Sequence, residues 1–135
     1  MLPDGDKPMV GPGARMLGVR VPVDIVGDGN GLVYPNTGGM SVAPTLADLP
    51  PHRIPRRLRG LPGLAGATGS NTLHIGRLGD GPFAPSAVAS GLLVRIDPGD
   101  ARHGLVEPDA IMLLSECSRA LAATRPRWEI DEDVP

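Results

Sequence analysis

Ser41 is the residue whose neighbours best suit it for chemistry. Its hydroxyl follows the pair Gly38-Gly39, where a backbone without Cβ atoms lets a ligand come close. His103 is the second candidate, because an imidazole near neutral pH serves a ribose hydroxyl or a phosphate equally well. Arg53, Arg56, Arg57 and Arg59 crowd one short segment, and guanidinium forks match phosphate oxygens two at a time. Each has a plainer alternative: a turn serine bonded to its own backbone, a strand-end histidine, a solvated charged loop. Asn36 and Thr37 share the turn before Ser41, where both residue types are common for local reasons. Glu107 lies four residues beyond His103 on the same face of an extended segment. It is the carboxylate that could stabilise positive charge on a sugar ring, with a solvated strand-end glutamate as the alternative.

Other constellations fail on spacing. His52 and His74 have no partner at metal-ligand spacing, and the single Cys117 argues against a zinc site and rules out an internal disulfide, so no metal is expected. Gly29-Asn30-Gly31 lacks the full dinucleotide fingerprint and the strand-helix-strand context it needs. A serine hydrolase reading lacks a nucleophile elbow and an oriented base.

The 135 residues suit one domain. Hydrophobic residues make 41% of the chain but aromatics only 2%, so the core must be aliphatic. With 19 Gly and 16 Pro, long stretches are expected to be irregular. A net charge of −2 and three dispersed aromatic residues argue against a nucleic-acid-coating surface. No apolar run reaches the roughly 18 residues of a membrane span, and Met1 to Gly13 is acidic and Gly/Pro-rich, unlike a signal peptide. The expectation is a cytoplasmic protein, or one delivered into a target cell without a cleaved signal.

The elements that must position Ser41 and His103 are short. Residues 1–14 read as a flexible lead-in, 15–130 as the domain and 131–135 as an acidic tail, with fraying expected from Glu129 to Pro135. Leu17 to Ile25 alternates with the period of a half-buried strand, broken by Pro22 into an edge strand or two pieces. A turn at Gly27 to Gly31 then suggests a hairpin with Leu32 to Tyr34, and Met40 to Ala43 is another extended piece. Leu49 to Gly60 reads as an exposed basic loop, with at most one helical turn after Pro55. Leu73 to Ile75 is a weak strand, Gly79 to Pro85 a turn, Gly91 to Asp97 a clear strand, and His103 to Glu107 a further extended segment. One C-terminal helix carries Leu114, Cys117, Ala120, Leu121 and Thr124 on one face, with Ser115 as N-cap and Arg125-Pro126 as stop. Trp128 is expected to fold back as an anchor. The fold class is therefore α+β: short strands, one C-terminal helix and long Gly/Pro-rich loops.

Three segments in order resemble one known family. VPVDIVGDGNGLVYPNTGGMSV (residues 21–42), HGLVEPDAIM (103–112) and RALAATRPRW (119–128) are similar to the bacterial type VI secretion toxins of the second exported effector type. That resemblance implies a small ADP-ribosyltransferase-like domain with NAD as substrate. It gives Ser41 and His103 catalytic roles, and Arg20, Asn36, Thr37, Gly38, Gly39 and Met40 roles in holding NAD. It also implies a cognate immunity protein as partner and a target molecule that the sequence does not name. Two positions depart from the pattern: an early strand with an NAD-holding arginine is missing, so Arg15 or Arg20 must substitute, and Met40 stands where the family has a hydroxyl. The alternatives that follow are a catalytically degenerate binding domain of the same fold and a fragment of a longer toxin.

Overall fold

A computed structural model describes residues 1–79 and 86–132. Its centre is a four-stranded antiparallel sheet in the order β4 (Met40–Val42), β8 (Asp100–Pro108), β7 (Leu92–Asp97), β6 (Ser86–Ala89). Three two-stranded antiparallel pairs surround it: β1 (Pro3–Asp4) with β2 (Lys7–Pro8), β3 (Leu32–Val33) with β9 (Met112–Leu113), and β5 (Gly76–Leu78) with β10 (Trp128–Ile130). The helix α1 spans Leu114–Ala123. The chain is thus mixed α+β, built mostly of small sheets with one α-helix.

Alternation decides which sheet face is buried. Met40, Val106 and Val94 stand side by side across β4, β8 and β7 and are all buried in the main core. Ser41, Leu105 and Arg95 form the adjacent row and so belong to the opposite face. The helix contributes Cys117, Leu121 and Thr124 from the predicted face, all buried, with Leu114 and Ala120 packed at the margin. Burial raises the Cys117 thiol above its ordinary pKa, which suits a core residue and not a nucleophile. Trp128 does fold back, 4% exposed, and its Nε1–H donates to Thr124 Oγ1 at 2.9 Å while that hydroxyl donates to the Leu121 carbonyl. A buried aromatic and a buried hydroxyl thereby satisfy each other.

Several segments depart from their predicted form. Leu17 to Ile25 is no strand. Leu17, Val19 and Ile25 are buried, but Val21 and Val23 are exposed, because the chain turns at Arg20. The Asp24 N–H donates to the Arg20 carbonyl, and the Asp24 carboxylate takes the Arg20 backbone N–H and its guanidinium. Pro22 sits inside that turn, where a ladder donor is not needed. Leu32–Val33 therefore pairs with β9 and not with a preceding strand. Residues 1–14, expected to lack elements, carry the β1–β2 hairpin. Lys7 Nζ ties it to the Pro126 and Trp128 carbonyls, and Arg125 ties it to Asp4 and the Pro8 carbonyl.

Leu73 to Ile75 is irregular, and the strand lies at Gly76–Leu78. The basic segment is only partly exposed: Ile54 and Leu58 are buried with Leu64, Ala67 and Ile75 in a second small core under two single 3-10 turns. Ser115 lies inside α1, whose N-cap is Leu113 without a side-chain bond. Glu129 to Glu132 does not fray. Glu129 and Ile130 pair with β5, and Glu132 takes hydrogen bonds from Arg57 and the Ile75 N–H. Residues 80–85 of the expected turn and 133–135 of the expected tail lie outside the described residues.

Gly38 shows why the turn into β4 needs its sequence. Its φ is +140°, and a Cβ there would overlap the Asp24 carbonyl oxygen. Gly38→Ala should cost about 2–4 kcal/mol in urea unfolding. Gly29→Ala, whose Cβ meets nothing within 4 Å, should stay within about 0.5 kcal/mol.

Candidate functional site

The register of β4 on β8 brings the two leading residues together. Ser41 is opposite Leu105, so His103 is its diagonal neighbour on the same face, and His103 Nε2 lies 3.2 Å from Ser41 Oγ. The β7–β8 register shifts between Ile96 and Asp97, and there Asp97 Oδ2 lies 3.2 Å from His103 Nδ1. Asp97 is itself oriented, since its Oδ1 accepts the Gly99 N–H at 2.8 Å. The Gly99 N–H and then the His103 contact hold this carboxyl below the usual carboxylate range, so it is anionic at neutral pH. With the imidazole proton on Nδ1 facing Asp97, the Nε2 lone pair faces the Ser41 hydroxyl. The base judged unoriented from sequence is therefore oriented.

Ser41 and His103 border a cleft of about 670 Å³, inside the range of roughly 300–1,000 Å³ usual for small-molecule sites. Arg15, Arg20, Arg53 and Arg102 line it as well. Arg20 is paired with Asp24 and Arg102 with Asp100. Arg15 and Arg53 have no carboxylate partner among the described residues. Burial lowers the Arg53 guanidinium from its ordinary pKa, and the positive charges of Arg20 and Arg15 lower it further against the opposing pull of Asp24. Four guanidiniums thus share the cleft with the carboxylates of Asp24, Asp48 and Asp100, and Arg15 and Arg53 are the two suited to phosphate oxygens.

The remaining predicted residues divide. Arg20 and Met40 border the cleft, although the Met40 side chain is buried in the core. Asn36, Thr37, Gly38 and Gly39 are not among the residues lining it. Asn36, at φ 65°, donates its N–H to Glu107 Oε2, and Thr37 Oγ1 donates to the Tyr34 carbonyl. A Cβ on Gly39 would overlap the Val106 carbonyl oxygen, so this glycine pair lets protein backbone approach protein backbone.

Glu107 is neither solvated nor at the cleft. It is 2% exposed, 3.0 Å from Arg95 Nε, and caps the Asn36 turn. The arginine cluster also splits. Arg57 binds Glu132 and the carbonyls of Asn71 and Leu73, Arg59 binds the Ala67 carbonyl, and Arg53 alone turns to the cleft.

Asp97 is the residue that sequence reasoning missed. Asp97-Pro98-Gly99-Asp100 was legible as a strand-ending turn, and a hairpin about it brings residues 97 and 103 near one another. Among the described residues no cluster of three His, Cys, Asp or Glu stands close enough to hold a metal ion, and no helix is long and apolar enough to cross a membrane. Comparison with protein-family models, curated proteins and solved structures found no match to this chain.

Two outcomes are expected. Glu107→Ala strands the Arg95 guanidinium and the Asn36 N–H, and should cost about 2–4 kcal/mol in urea unfolding. Glu132 is depressed overall: burial raises it, but the Arg57 hydrogen bond, the Ile75 N–H and the charges of Arg57 and His74 outweigh that. Its stabilisation is complete above the unfolded value of about 4.3 and fades as pH falls through the lower folded one. Glu132→Gln should thus lower stability by about 1 kcal/mol at pH 7, and the gap should narrow as pH falls below the unfolded value of about 4.3.

Proposed function

We propose that this chain is a toxin-type domain that binds NAD in the arginine-walled cleft and breaks its nicotinamide glycosidic bond. ADP-ribose would pass to a target nucleophile, or to water. The observation that carries this reading is the convergence of Ser41, His103 and Arg20 with Arg15 and Arg53 on one cleft. Arg53 and Arg15, with no carboxylate partner among the described residues, fit the pyrophosphate. Ser41 and His103 hold the ribose beside the departing ring. The C1′–N bond breaks with its electrons leaving on nicotinamide, and the ribose carries positive charge until the acceptor oxygen or nitrogen captures it. His103 takes the proton that the acceptor releases. Little covalent help is needed, since orientation and charge placement do most of the work.

The resemblance to ADP-ribosyltransferase-like toxins asks for an arginine at the cleft that residues 1–14 do not contain, and Arg15 and Arg20 are available there. An immunity protein would act by covering this cleft. The exposed Val21, Val23 and Val26 lie close in sequence to the cleft-lining Arg20 and Asp24, and they offer such a partner apolar anchors. One observation favours the catalytically degenerate alternative: Glu107, the carboxylate considered for the sugar cation, is committed to Arg95 and the Asn36 turn.

Expression in a bacterial host decides between them. The wild-type chain should arrest growth and lower cellular NAD or label a target with ADP-ribose, while Ser41→Ala/His103→Ala should do neither. Arg53→Ala should weaken NAD binding by about tenfold in calorimetry. If both chains grow alike with soluble protein present but NAD still binds, the binding-domain reading holds. If NAD does not bind, the cleft serves another ligand.

A further inference from the structure

Ser41, His103 and Asp97 form a hydrogen-bonded row across three adjacent strands, with both links at 3.2 Å. Serine, imidazole and carboxylate in that order are the parts of a nucleophilic relay, recognised by geometry and not by sequence position. Each part is placed independently. Ser41 is exposed at the cleft, so a substrate carbon can reach its Oγ. His103 has one ring nitrogen on each partner. Asp97 is pinned by the Gly99 N–H, so it orients the ring and faces the imidazolium when a proton arrives. Arg15 and Arg53, which have no carboxylate partner among the described residues, line the same cleft and are the groups that would meet an acidic substrate there.

We infer that Ser41 is an acyl-accepting nucleophile and that the cleft hydrolyses esters whose acyl group carries a carboxylate or phosphate. Ser41 Oγ bonds to the carbonyl carbon as His103 Nε2 takes the hydroxyl proton. The ester C–O bond then breaks, and the alcohol leaves with that proton. Water attacks the acyl-serine next, giving one proton to His103. Collapse releases the carboxylic acid and returns the proton to Ser41. Ester and water are thereby converted to acid and alcohol with no other reactant. Asp97 is a positioning residue that acts through His103.

This activity requires no NAD, so its failure and that of the NAD reading are separable. The first probe is a fluorophosphonate, with the modified residue located by mass spectrometry. Wild type should be labelled at Ser41. Ser41→Ala should lose the label and His103→Ala should slow it at least tenfold. Asp97→Asn should slow it similarly, because the ring loses the carboxylate that orients it, and Asp97→Glu should restore part of the rate. The second probe is release of nitrophenolate from the 4-nitrophenyl monoester of succinate and from the uncharged butyrate ester. The acidic ester should be preferred about tenfold, and Arg53→Ala should erase that preference. Absence of Ser41 labelling in folded protein overturns the inference, as does labelling indifferent to His103→Ala and Asp97→Asn. Labelling without a preference for the acidic ester overturns the substrate class.

Discussion

The Glu107 carboxylate is the constraint on which the arrangement of this molecule turns. It is a buried charge, 3.0 Å from Arg95 Nε and 3.1 Å from the Asn36 N–H, on the sheet face opposite the aliphatic core. Burying a carboxylate is unfavourable unless its oxygens are occupied, and here one oxygen faces β7 and the other the turn before β4. The pair therefore acts as a clamp. It seats residues 34–39 against the central sheet, so β4 enters beside β8 with Ser41 opposite Leu105. A slip of one residue would turn Ser41 into the core and Met40 outward. Gly38 and Gly39 serve the same end, because each lies where a side chain would strike the backbone of Asp24 or Val106.

Charge is distributed unequally between the two cores. Around the second, smaller core, Arg57 and Arg59 are consumed by carbonyls and by Glu132, and they hold loops that have almost no regular structure. That is how Gly/Pro-rich segments remain folded, with guanidinium forks replacing ladder bonds. At the cleft the balance is reversed. Asp24 engages Arg20 while Arg15 and Arg53 stand nearby with no carboxylate partner among the described residues, so the mutual repulsion of these cations is offset only in part, by Asp24. A chain of net charge −2 thus still places four arginines on one concavity, which average composition conceals.

Much of this was legible in the residues. The strand ending at Asp97, the helix face of Cys117, Leu121 and Thr124, and the return of Trp128 follow from periodicity and from the stop at Pro126. Ser41 and His103 were nameable as candidates, but their contact was not, since it depends on a diagonal register between strands 62 residues apart. Leu17 to Ile25 misled because alternation is blind to a turn closed by Arg20 and Asp24 side chains. The β1–β2 hairpin was invisible for a related reason: its strands have two residues each, and it is held by Lys7 and Arg125 to carbonyls more than a hundred positions away. Neither sequence expectation for Glu107, a sugar-facing or a solvated carboxylate, anticipates its burial, because no local pattern announces a buried ion pair.

The Ser41–His103 contact is what the two proposed chemistries have in common. An imidazole whose Nδ1–H is committed to Asp97 presents a basic nitrogen to the serine hydroxyl, and the serine oxygen keeps lone pairs free. Toward a sugar, those lone pairs accept a hydroxyl proton and position the ring without bonding to carbon. Toward an activated carbonyl, the same oxygen is a nucleophile and the same nitrogen its base. The difference lies in the electrophile, because a ribosyl cation is captured by whatever nucleophile is nearest, whereas a carbonyl must be attacked along a fixed direction. The arginine wall is common to both, as it selects for negative charge on the ligand and not for the bond to be broken. In both proposals the cleft's charge would select the ligand, and the ligand's own carbon would decide what Ser41 does to it.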